Sequence, residues 1–202
     1  MSSGPQPWCG PDYFFFCVAK HIAAARGRQH TERMLGSPAK VAIRTLRASD
    51  APALSEVFSA SWRLAYEGMI PAQHLELIIR RRSDQWWLTA ARSKERHIVL
   101  EFEGKVAGYA SYGRARSRGR AQGEIYELYL GPIYQGVGLG EHLFEACRHQ
   151  LDRSKIKGLL VWALADNTQA VHFYWRRGGR PIASMDEILC GKKLEKIAFT
   201  WP

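Results

Sequence analysis

The chain has 202 residues, of which 46% are apolar and 24% are charged, a balance typical of a soluble domain with a hydrophobic core. No apolar run approaches the roughly 20 residues that a membrane-spanning helix requires, so the sequence predicts no membrane partner. The formal net charge of +10 favours polyanions and phosphorylated ligands in general, or a solvated basic surface that has no partner.

Residues 1–37 differ in composition from the rest of the chain. Prolines and glycines are frequent near the start, and a short apolar patch over residues 13–19 is broken by polar residues. A secretory signal peptide needs a basic start and a longer apolar centre, so secretion is not predicted. The first convincing strand begins near Val41. We therefore predict a disordered N-terminal extension over residues 1–37 and one domain over residues 38–202.

The cysteines give no sign of a metal site or of a disulfide framework. Cys9, Cys17, Cys147 and Cys190 form no CxxC pair and no zinc-like spacing, so no metal is expected. Buried free thiols are the simplest interpretation. Reducing compartments keep thiols in this state, so the pattern favours a cytoplasmic protein.

In the first half of the domain the residue pattern predicts one strand followed by helices. Ser49 or Asp50 can cap a helix, and Pro52 fits its first turn, where no backbone donor is needed. Apolar residues then recur at helical spacing from Leu54 to Trp62. The predicted elements are a strand over Val41–Leu46, a helix over Ala51–Ala65, a helix over His74–Arg81 and a short helix that carries Trp86, Trp87 and Leu88.

The second half alternates strands and helices. A turn at Glu103-Gly104 joins a predicted hairpin, and a basic loop with Arg114, Arg116, Arg118 and Arg120 follows it. This order predicts a single α/β domain with a mixed central sheet flanked by helices. The predicted elements are strands over His97–Phe102, Lys105–Tyr112 and Glu124–Leu130, a helix over Leu139–Ser154, a strand over Gly158–Ala163, a helix over Thr168–Arg177, and strands near Ile182 and over Lys196–Phe199.

A glycine-rich loop, Gln135-Gly136-Val137-Gly138-Leu139-Gly140, follows the strand Glu124–Leu130 and opens the next helix. A helix start leaves backbone N–H groups without partners, and glycines let the chain approach a ligand closely, so the loop suits a diphosphate. No lysine follows it, as a Walker loop would require, and Glu141 stands where a dinucleotide fingerprint needs its third glycine. A glycine-rich helix cap that binds no ligand is the alternative.

A second segment, Asp166-Asn167-Thr168-Gln169-Ala170-Val171-His172-Phe173-Tyr174 followed by Gly178, comes after another predicted strand. This segment and the glycine loop resemble the coenzyme A-binding core of the GNAT family of N-acetyltransferases. The loop matches the family's Q/R-x-x-G-x-G/A pattern, and the segment matches its N-x-x-A-x-x-F/L-Y-x-x-x-G pattern. The resemblance covers roughly residues 41–200 and is most specific over residues 124–179. Gly179 departs from the family, which commonly has an aromatic residue there.

The resemblance implies that acetyl-CoA binds between two central parallel strands that splay apart at the end of Glu124–Leu130. The pantetheine arm would pair with the backbone of this strand, and the amides of the glycine loop would hold the diphosphate. Asn167 would hydrogen-bond the pantetheine arm, cap the helix that follows it, or do both. The implied cofactor-binding residues are Leu128, Tyr129, Leu130, Gln135, Gly136, Val137, Gly138, Leu139, Gly140, Glu141, Asn167 and Tyr174.

The resemblance also implies an amine that attacks the thioester directly. Tyr174 would protonate the leaving thiolate, unless it is only a core residue of its helix. Glu124 matches the strand position of the base in the family's histone-acetylating members. Glu127 is the second candidate, and it faces the other side of a regular strand unless a bulge intervenes. The base of the ribosomal-protein-acetylating relatives would fall near Trp162, which cannot accept a proton.

The acceptor is a small-molecule or peptide amine that the sequence does not identify. Trp62 and Tyr66 end the helix that borders the acceptor pocket in the family, where aromatic rings can hold a cationic amine or pack into the core. The family resemblance favours a homodimer. Two other functions stay open. The net charge and the arginine loop fit a nucleic-acid or polyanion-binding module, although no recognition motif supports one, and the fold also suits a coenzyme A-binding sensor without turnover.

Overall fold

The computed structural model describes residues 40–117, 119–189 and 191–201. The predicted extension over residues 1–37 lies outside the described residues. Across these ranges the strands are β1 (Val41–Thr45), β2 (Arg96–Phe102), β3 (Lys105–Arg114), β4 (Gly123–Leu130), β5 (Leu159–Leu164), β6 (Arg180–Leu189) and β7 (Lys192–Trp201). The helices are α1 (Ala51–Tyr66), α2 (Ala72–Arg81), α3 (Asp84–Ala90), α4 (Leu139–Arg153) and α5 (Thr168–Arg176), with short 3-10 turns over Ala48–Asp50 and Pro132–Tyr134.

The strands form one mixed sheet in the order β1-β2-β3-β4-β5-β7-β6. Neighbouring strands run antiparallel except β4 and β5, which are parallel. This parallel pairing joins Gly123 to Leu159 and Glu124 to Leu160, and it goes no further along either strand. The strands therefore separate beyond Glu124 and leave one edge of β4 open toward β5. The expected fold class, with splayed parallel strands, is confirmed.

Helices cover both faces of the sheet, and each face has its own apolar cluster. Leu143, Phe144 and Cys147 of α4 pack with Phe173 of α5 on one face. On the other face α1 presents an apolar stripe at helical spacing, from Leu54 through Phe58 and Trp62. Fully burying a side chain of this size contributes roughly 1.5–3 kcal/mol, so these stripes fix which face of each helix meets the sheet. Within the described ranges no helix is long and apolar enough to cross a membrane.

A bulge in the β3–β4 pairing changes which residues of β4 share a face. Ser111 pairs with Glu127, but the next residue of β3, Tyr112, pairs with Ile125. Ile125 and Leu128 consequently belong to the same apolar cluster although they are three residues apart, because the extra residue restores the alternation. By the same alternation Glu124 and Glu127 lie on the opposite face, so the regular-strand expectation is replaced by its bulged alternative.

Two local expectations are corrected. The last strands are longer than the sequence indicated, with ten residues in each of β6 and β7. Because β6 is a largely exposed edge strand, it shows no alternation of buried and exposed residues that could mark its ends. Asp50 does not cap α1 with its side chain. Its carboxylate accepts from the Arg47 N–H and the Arg44 guanidinium instead, which anchors the turn to β1.

The departure at Gly179 has a packing explanation. A methyl group on Gly179 would come within 2.5 Å of the Trp201 ring, so the indole of β7 occupies the space beside this glycine. The Trp201 indole nitrogen also donates to the Arg177 carbonyl at 2.8 Å, just after the end of α5. An aromatic side chain at this place therefore comes from β7.

Candidate active site

The glycine loop forms an open cradle at the start of α4. Gly136 and Gly138 have φ of +79° and +89°, a conformation that L side chains rarely adopt. A methyl group added at either position would meet nothing within 4 Å, so open space borders the backbone here. Gly138 is the N-cap residue and supplies no side-chain cap to the 15-residue helix α4. The Glu141 amide donates to the Gly138 carbonyl at 3.0 Å, so the amides of Leu139 and Gly140 are the candidates at the start of α4 for an anion, and binding of a diphosphate here stays a prediction.

Gln135 connects the cradle to the open edge of β4. Its side-chain amide nitrogen donates to the Leu130 carbonyl at 2.8 Å, so Leu130 already holds one partner. The other amide atom, Oε1, is buried and has no hydrogen-bond partner. A buried acceptor without a partner is costly unless a ligand supplies a donor. The residues present therefore fit a ligand with hydrogen-bond donors, such as the amides of a pantetheine arm.

Asn167 and Tyr174 both lie on buried faces at α5. Asn167 is the N-cap residue, and its Oδ1 accepts from the Ala170 N–H at 3.1 Å, so the capping role is confirmed. Tyr174 is fully buried, with its ring centre 6.1 Å from Phe144 and 5.9 Å from Trp201. The core-residue interpretation of Tyr174 is thus correct for its ring, while the cofactor and catalytic roles stay predictions.

Glu124 is held by one arginine. Arg116 donates its backbone N–H to Oε2 at 2.8 Å and its Nη2 to Oε1 at 2.8 Å. The carboxylate is 1% exposed, and the Arg116 guanidinium also lies over the Tyr126 ring. Both carboxylate oxygens therefore have strong charge-assisted partners, as a structural glutamate would. Glu124 also stands at the end of β4 that is still paired with β5.

Glu127 has a different environment. It forms a buried ion pair through Oε1 with Nη2 of Arg82, which follows the end of α2. Among residues 40–117, 119–189 and 191–201 no donor forms a hydrogen bond with its Oε2. Burial raises the pKa of this carboxyl, and the raising is opposed by Arg82, by the nearby Tyr109 hydroxyl and by Arg116. A carboxylate with a raised pKa and one unused oxygen is better placed to accept a proton than one with both oxygens occupied.

A cavity of about 720 Å³ opens beside Glu127. Its wall includes Arg82, Trp86 and His97, none of which the sequence had indicated as functional. The Arg82 guanidinium lies 3.7 Å from the Trp86 ring centre. Burial and the charge of Arg82 lower the pKa of His97 to about 4, against a weaker raising effect of its backbone hydrogen bond. Arg82 ends a run of three arginines that resembles an ordinary basic helix terminus, so only tertiary structure reveals it.

Trp62 and Tyr66 lie in the core and not in this cavity. Their rings are 4.6 Å apart, and Trp62 also packs with Phe58 and Tyr129. Trp62 is 0% exposed and Tyr66 is 2% exposed. Neither is among the residues that line the cavity beside Glu127 or the smaller one under the loop between α1 and α2. Their acceptor-binding role stays a prediction, and their observed contacts are those of core residues.

The arginine loop lies at the far end of β4 from the glycine loop. It precedes Gly123, whereas the glycine loop follows Leu130, and eight residues of strand span about 25 Å. Arg114 and Arg116 line the cavity beside Glu127.

Comparison with known proteins agrees with this geometry. The model of the acetyltransferase (GNAT) family matches residues 53–178. An uncharacterized N-acetyltransferase of Bacillus subtilis, YuaI, is 27% identical over 164 residues, which are 80% of this chain and 93% of the relative.

Solved structures share the fold. The PaiA N-acetyltransferase of Thermoplasma acidophilum, in complex with coenzyme A, superposes with a TM-score of 0.64 at 19% identity, over 80% of this chain and 99% of that one. YncA of Salmonella typhimurium, a structure with acetyl-CoA, gives a TM-score of 0.58 at 21% identity, over 80% of this chain and 92% of that one. These superpositions show a common fold.

Proposed function

Because the chain belongs to the acetyltransferase (GNAT) family and is an acetyl-CoA-dependent acyltransferase, we propose that it transfers an acetyl group to a primary amine by direct attack on the thioester. The observation that carries the proposal is the continuity of one site. The open cradle of Gly136 and Gly138 follows directly on the strand that loses its parallel partner after Glu124.

The cofactor would be held mainly by the backbone. The amides from Gly136 to Gly140 would bind the diphosphate, whereas that of Glu141 donates to the Gly138 carbonyl. The backbone from Leu128 to Leu130 would bind the pantetheine arm along the edge that β5 leaves free. Gln135 Oε1 would accept a hydrogen bond from this arm, which gives its buried oxygen a partner. Asn167 would help to position the arm while it caps α5. When bound, acetyl-CoA supplies an acetyl group activated as a thioester.

We assign the proton acceptor to Glu127, which reverses the order of the two glutamates expected from the sequence. An amine attacks only after its ammonium form loses a proton, and Glu127 Oε2 is free to take it. The nitrogen–carbon bond then forms as the carbon–sulfur bond breaks. Tyr174 would donate its phenolic proton to the leaving sulfur, and the newly acylated nitrogen would lose its second proton, which restores the Tyr174 phenol through solvent. The proton taken by Glu127 would leave to solvent before the next turnover.

The first test measures acetyl-CoA binding. We expect saturable thermal stabilisation of the full chain by acetyl-CoA, because a ligand that binds only the folded state raises its stability. Val137→Asp should weaken binding by about 10–100-fold, since a negative charge in the cradle repels the diphosphate. Val137 is 66% exposed, so the substitution leaves the core intact.

Ile133→Asp is the matched control. Ile133 is 83% exposed in the preceding turn, so the substitution adds the same charge outside the cradle. Equal loss in both variants would show only a general charge effect. No stabilisation of the folded parent protein by acetyl-CoA would refute the cofactor site, and salt-sensitive binding to nucleic acid would then support the polyanion-binding alternative.

A further inference from the structure

The cavity beside Glu127 lies next to the proposed reaction site. Tyr126 and Glu127 of β4 form one wall, and Arg82 and Trp86 form another. Glu127 directly precedes Leu128, where the proposed pantetheine-binding segment begins. A molecule in this cavity would therefore reach the thioester from the N-terminal half of β4, while the cofactor enters from the glycine loop at the other end.

The charge of the cavity wall favours an anionic group. Basic residues of the wall outnumber acidic ones, five to two, and His97 adds no positive charge near neutral pH because its pKa is lowered to about 4. One of the acidic residues, Glu95, has a side chain that is 69% exposed and points largely to solvent. The basic residues are Arg82, Lys94, Arg96, Arg114 and Arg116.

The buried ion pair at the base of the cavity is incompletely satisfied. Arg82 Nη2 donates to Glu127 Oε1, while Arg82 Nη1 and Glu127 Oε2 are both buried and form no hydrogen bond of ordinary geometry with any described residue. The Tyr109 hydroxyl lies beside Glu127 and opposes the raising of the pKa of this carboxyl by burial, so a ligand at Oε2 would share the carboxylate with it. The Arg82 side chain is 11% exposed and that of Glu127 is 4% exposed. Buried charged groups normally satisfy all their hydrogen-bonding atoms, so one unused donor beside one unused acceptor points to a ligand that carries both complements.

We propose that the acceptor is a small zwitterion, a molecule that carries a primary amine and a carboxylate. Its carboxylate would accept from Arg82 Nη1, and its ammonium would donate to Glu127 Oε2, which then takes the proton. Trp86 stacks on the guanidinium and holds it in place. The cavity of about 720 Å³ lies within the roughly 300–1,000 Å³ typical of small-molecule sites. This inference rests on the proposed acetyltransferase function and adds Arg82 as the residue that selects the acceptor.

The test compares matched acceptors in a thiol-release assay with acetyl-CoA. Each free α-amino acid is assayed beside its primary amide and its decarboxylated amine, which keep the amine and side chain but lose the carboxylate. We expect the free amino acids to be the better substrates, with kcat/KM about 10–100-fold above that of the matched amide and amine that lack the carboxylate, the range for a hydrogen bond to a charged group. Equal or better turnover of the amides and amines would overturn the proposal.

Substitution of Arg82 assigns the effect to this residue. Arg82→Gln breaks the ion pair with Glu127 for every acceptor, but it should raise KM for the best amino acid by about 10–100-fold more than it raises KM for the decarboxylated amine. Arg82→Lys keeps the charge and should restore part of the preference, which also provides a folded variant if the glutamine variant is unstable. Arg80→Gln removes an exposed arginine from the last turn of α2, two residues before Arg82, and should leave the preference intact.

Failure of this inference is distinguishable from failure of the proposed function. Protein that is not stabilised by acetyl-CoA would contradict the function itself. Protein that binds acetyl-CoA but neither acetylates nor is stabilised by any carboxylate-bearing amine would contradict only the acceptor class. An unchanged preference in Arg82→Gln would show that the carboxylate is recognised elsewhere and would overturn the assignment to Arg82.

Discussion

At its C-terminal end β4 leads into a loop whose proposed binding groups are backbone amides, whereas at its N-terminal end it is surrounded by charged side chains. Gly136 and Gly138 shape the first end, and a methyl group at either of them would meet no described atom within 4 Å. Arg82, Arg116 and Glu127 build the second end, and they come from three separate segments of the chain. Backbone amides suit a ligand part that every family member shares, and side chains suit a part that differs from one member to another.

The two ends also differ in their electrostatic cost. Amides at the start of α4 carry partial charges that stay near solvent, so they hold an anion without first being desolvated themselves. The Arg82–Glu127 pair is buried, and burying two charges costs several kcal/mol per ion before their attraction offsets it. A fold keeps such a pair most readily where it performs a function, which is the reason for placing acceptor recognition here.

The strongest way to separate the two ends is to neutralise each glutamate of β4. Glu127→Gln should lower kcat by about 10²–10⁴-fold, the range for loss of a general base, because glutamine can still accept from Arg82 but cannot take a proton. Stabilisation by acetyl-CoA should be unchanged, since the cofactor occupies the other end. Steady-state kinetics with the best acceptor, together with thermal shift, measures both.

Glu124→Gln is the matched variant on the same strand and the same face. Both oxygens of Glu124 accept from Arg116, so we expect its loss to reduce stability more than kcat at saturating acceptor. A larger fall in kcat for Glu124→Gln than for Glu127→Gln would restore Glu124 as the base and reverse our assignment.

The two ends differ as well in how far the sequence reveals them. The glycine loop and the segment from Asn167 to Tyr174 are each continuous stretches of sequence, so the cofactor could be predicted from their residues, while the role of each residue stays a prediction. The pairing of Arg82 with Glu127 joins residues 45 positions apart. The face that Glu127 occupies depends on the bulge opposite Ser111 and Tyr112, which no residue pattern marked. The sequence therefore predicted the glycine loop, which is one continuous segment, and missed the Arg82–Glu127 pair, which only the tertiary structure brings together.

A smaller loss is expected from Tyr174, which lies on α5 and belongs to neither end. Tyr174→Phe should lower kcat by about 10²-fold, the lower part of the range for general acid catalysis, because the leaving sulfur loses its proton donor. The ring contacts with Phe144 and Trp201 stay, so the folded protein should persist. With an activated acyl donor, whose leaving group needs no proton, the kcat values of the parent protein and of Tyr174→Phe should lie closer together. Unchanged kcat with acetyl-CoA would remove Tyr174 as the acid and leave it as a core residue.

The fold itself was predictable where burial alternates or repeats along the chain. Helix α1 was found nearly to the residue, because its apolar stripe and Pro52 mark it clearly. Trp62 and Tyr66 show the limit of that signal. Their helical spacing located α1 correctly, but core residues have the same spacing. In the structure the Trp62 ring packs against both Tyr66 and Tyr129. Spacing predicts a face, and it does not separate a pocket residue from a packed one.

The smallest expected effect is a change in stability with pH. It comes from His97, which lines the cavity at the N-terminal end of β4. The pKa of His97 is lowered to about 4 in the folded protein, below its ordinary value of 6.5, mainly by burial and then by Arg82. The folded state then binds fewer protons than the unfolded state between these values, so stability falls as pH drops through this window. The loss from His97 should be about 2 kcal/mol between pH 7 and pH 5.

The measurement compares urea unfolding at pH 7 and pH 5 in the parent protein and in His97→Gln. Glu127 acts in the opposite direction, because a raised carboxyl pKa makes stability fall as pH rises above the ordinary value, but both proteins contain Glu127 and its effect cancels in the difference. His142→Gln removes an exposed histidine from α4 and controls for the loss of a histidine as such. Equal pH dependence in the parent and in His97→Gln would mean that His97 is hydrated or paired in solution. Water would then reach the cavity wall and screen the charges of the Arg82–Glu127 pair, so the proposed recognition of a zwitterion would lose its electrostatic basis.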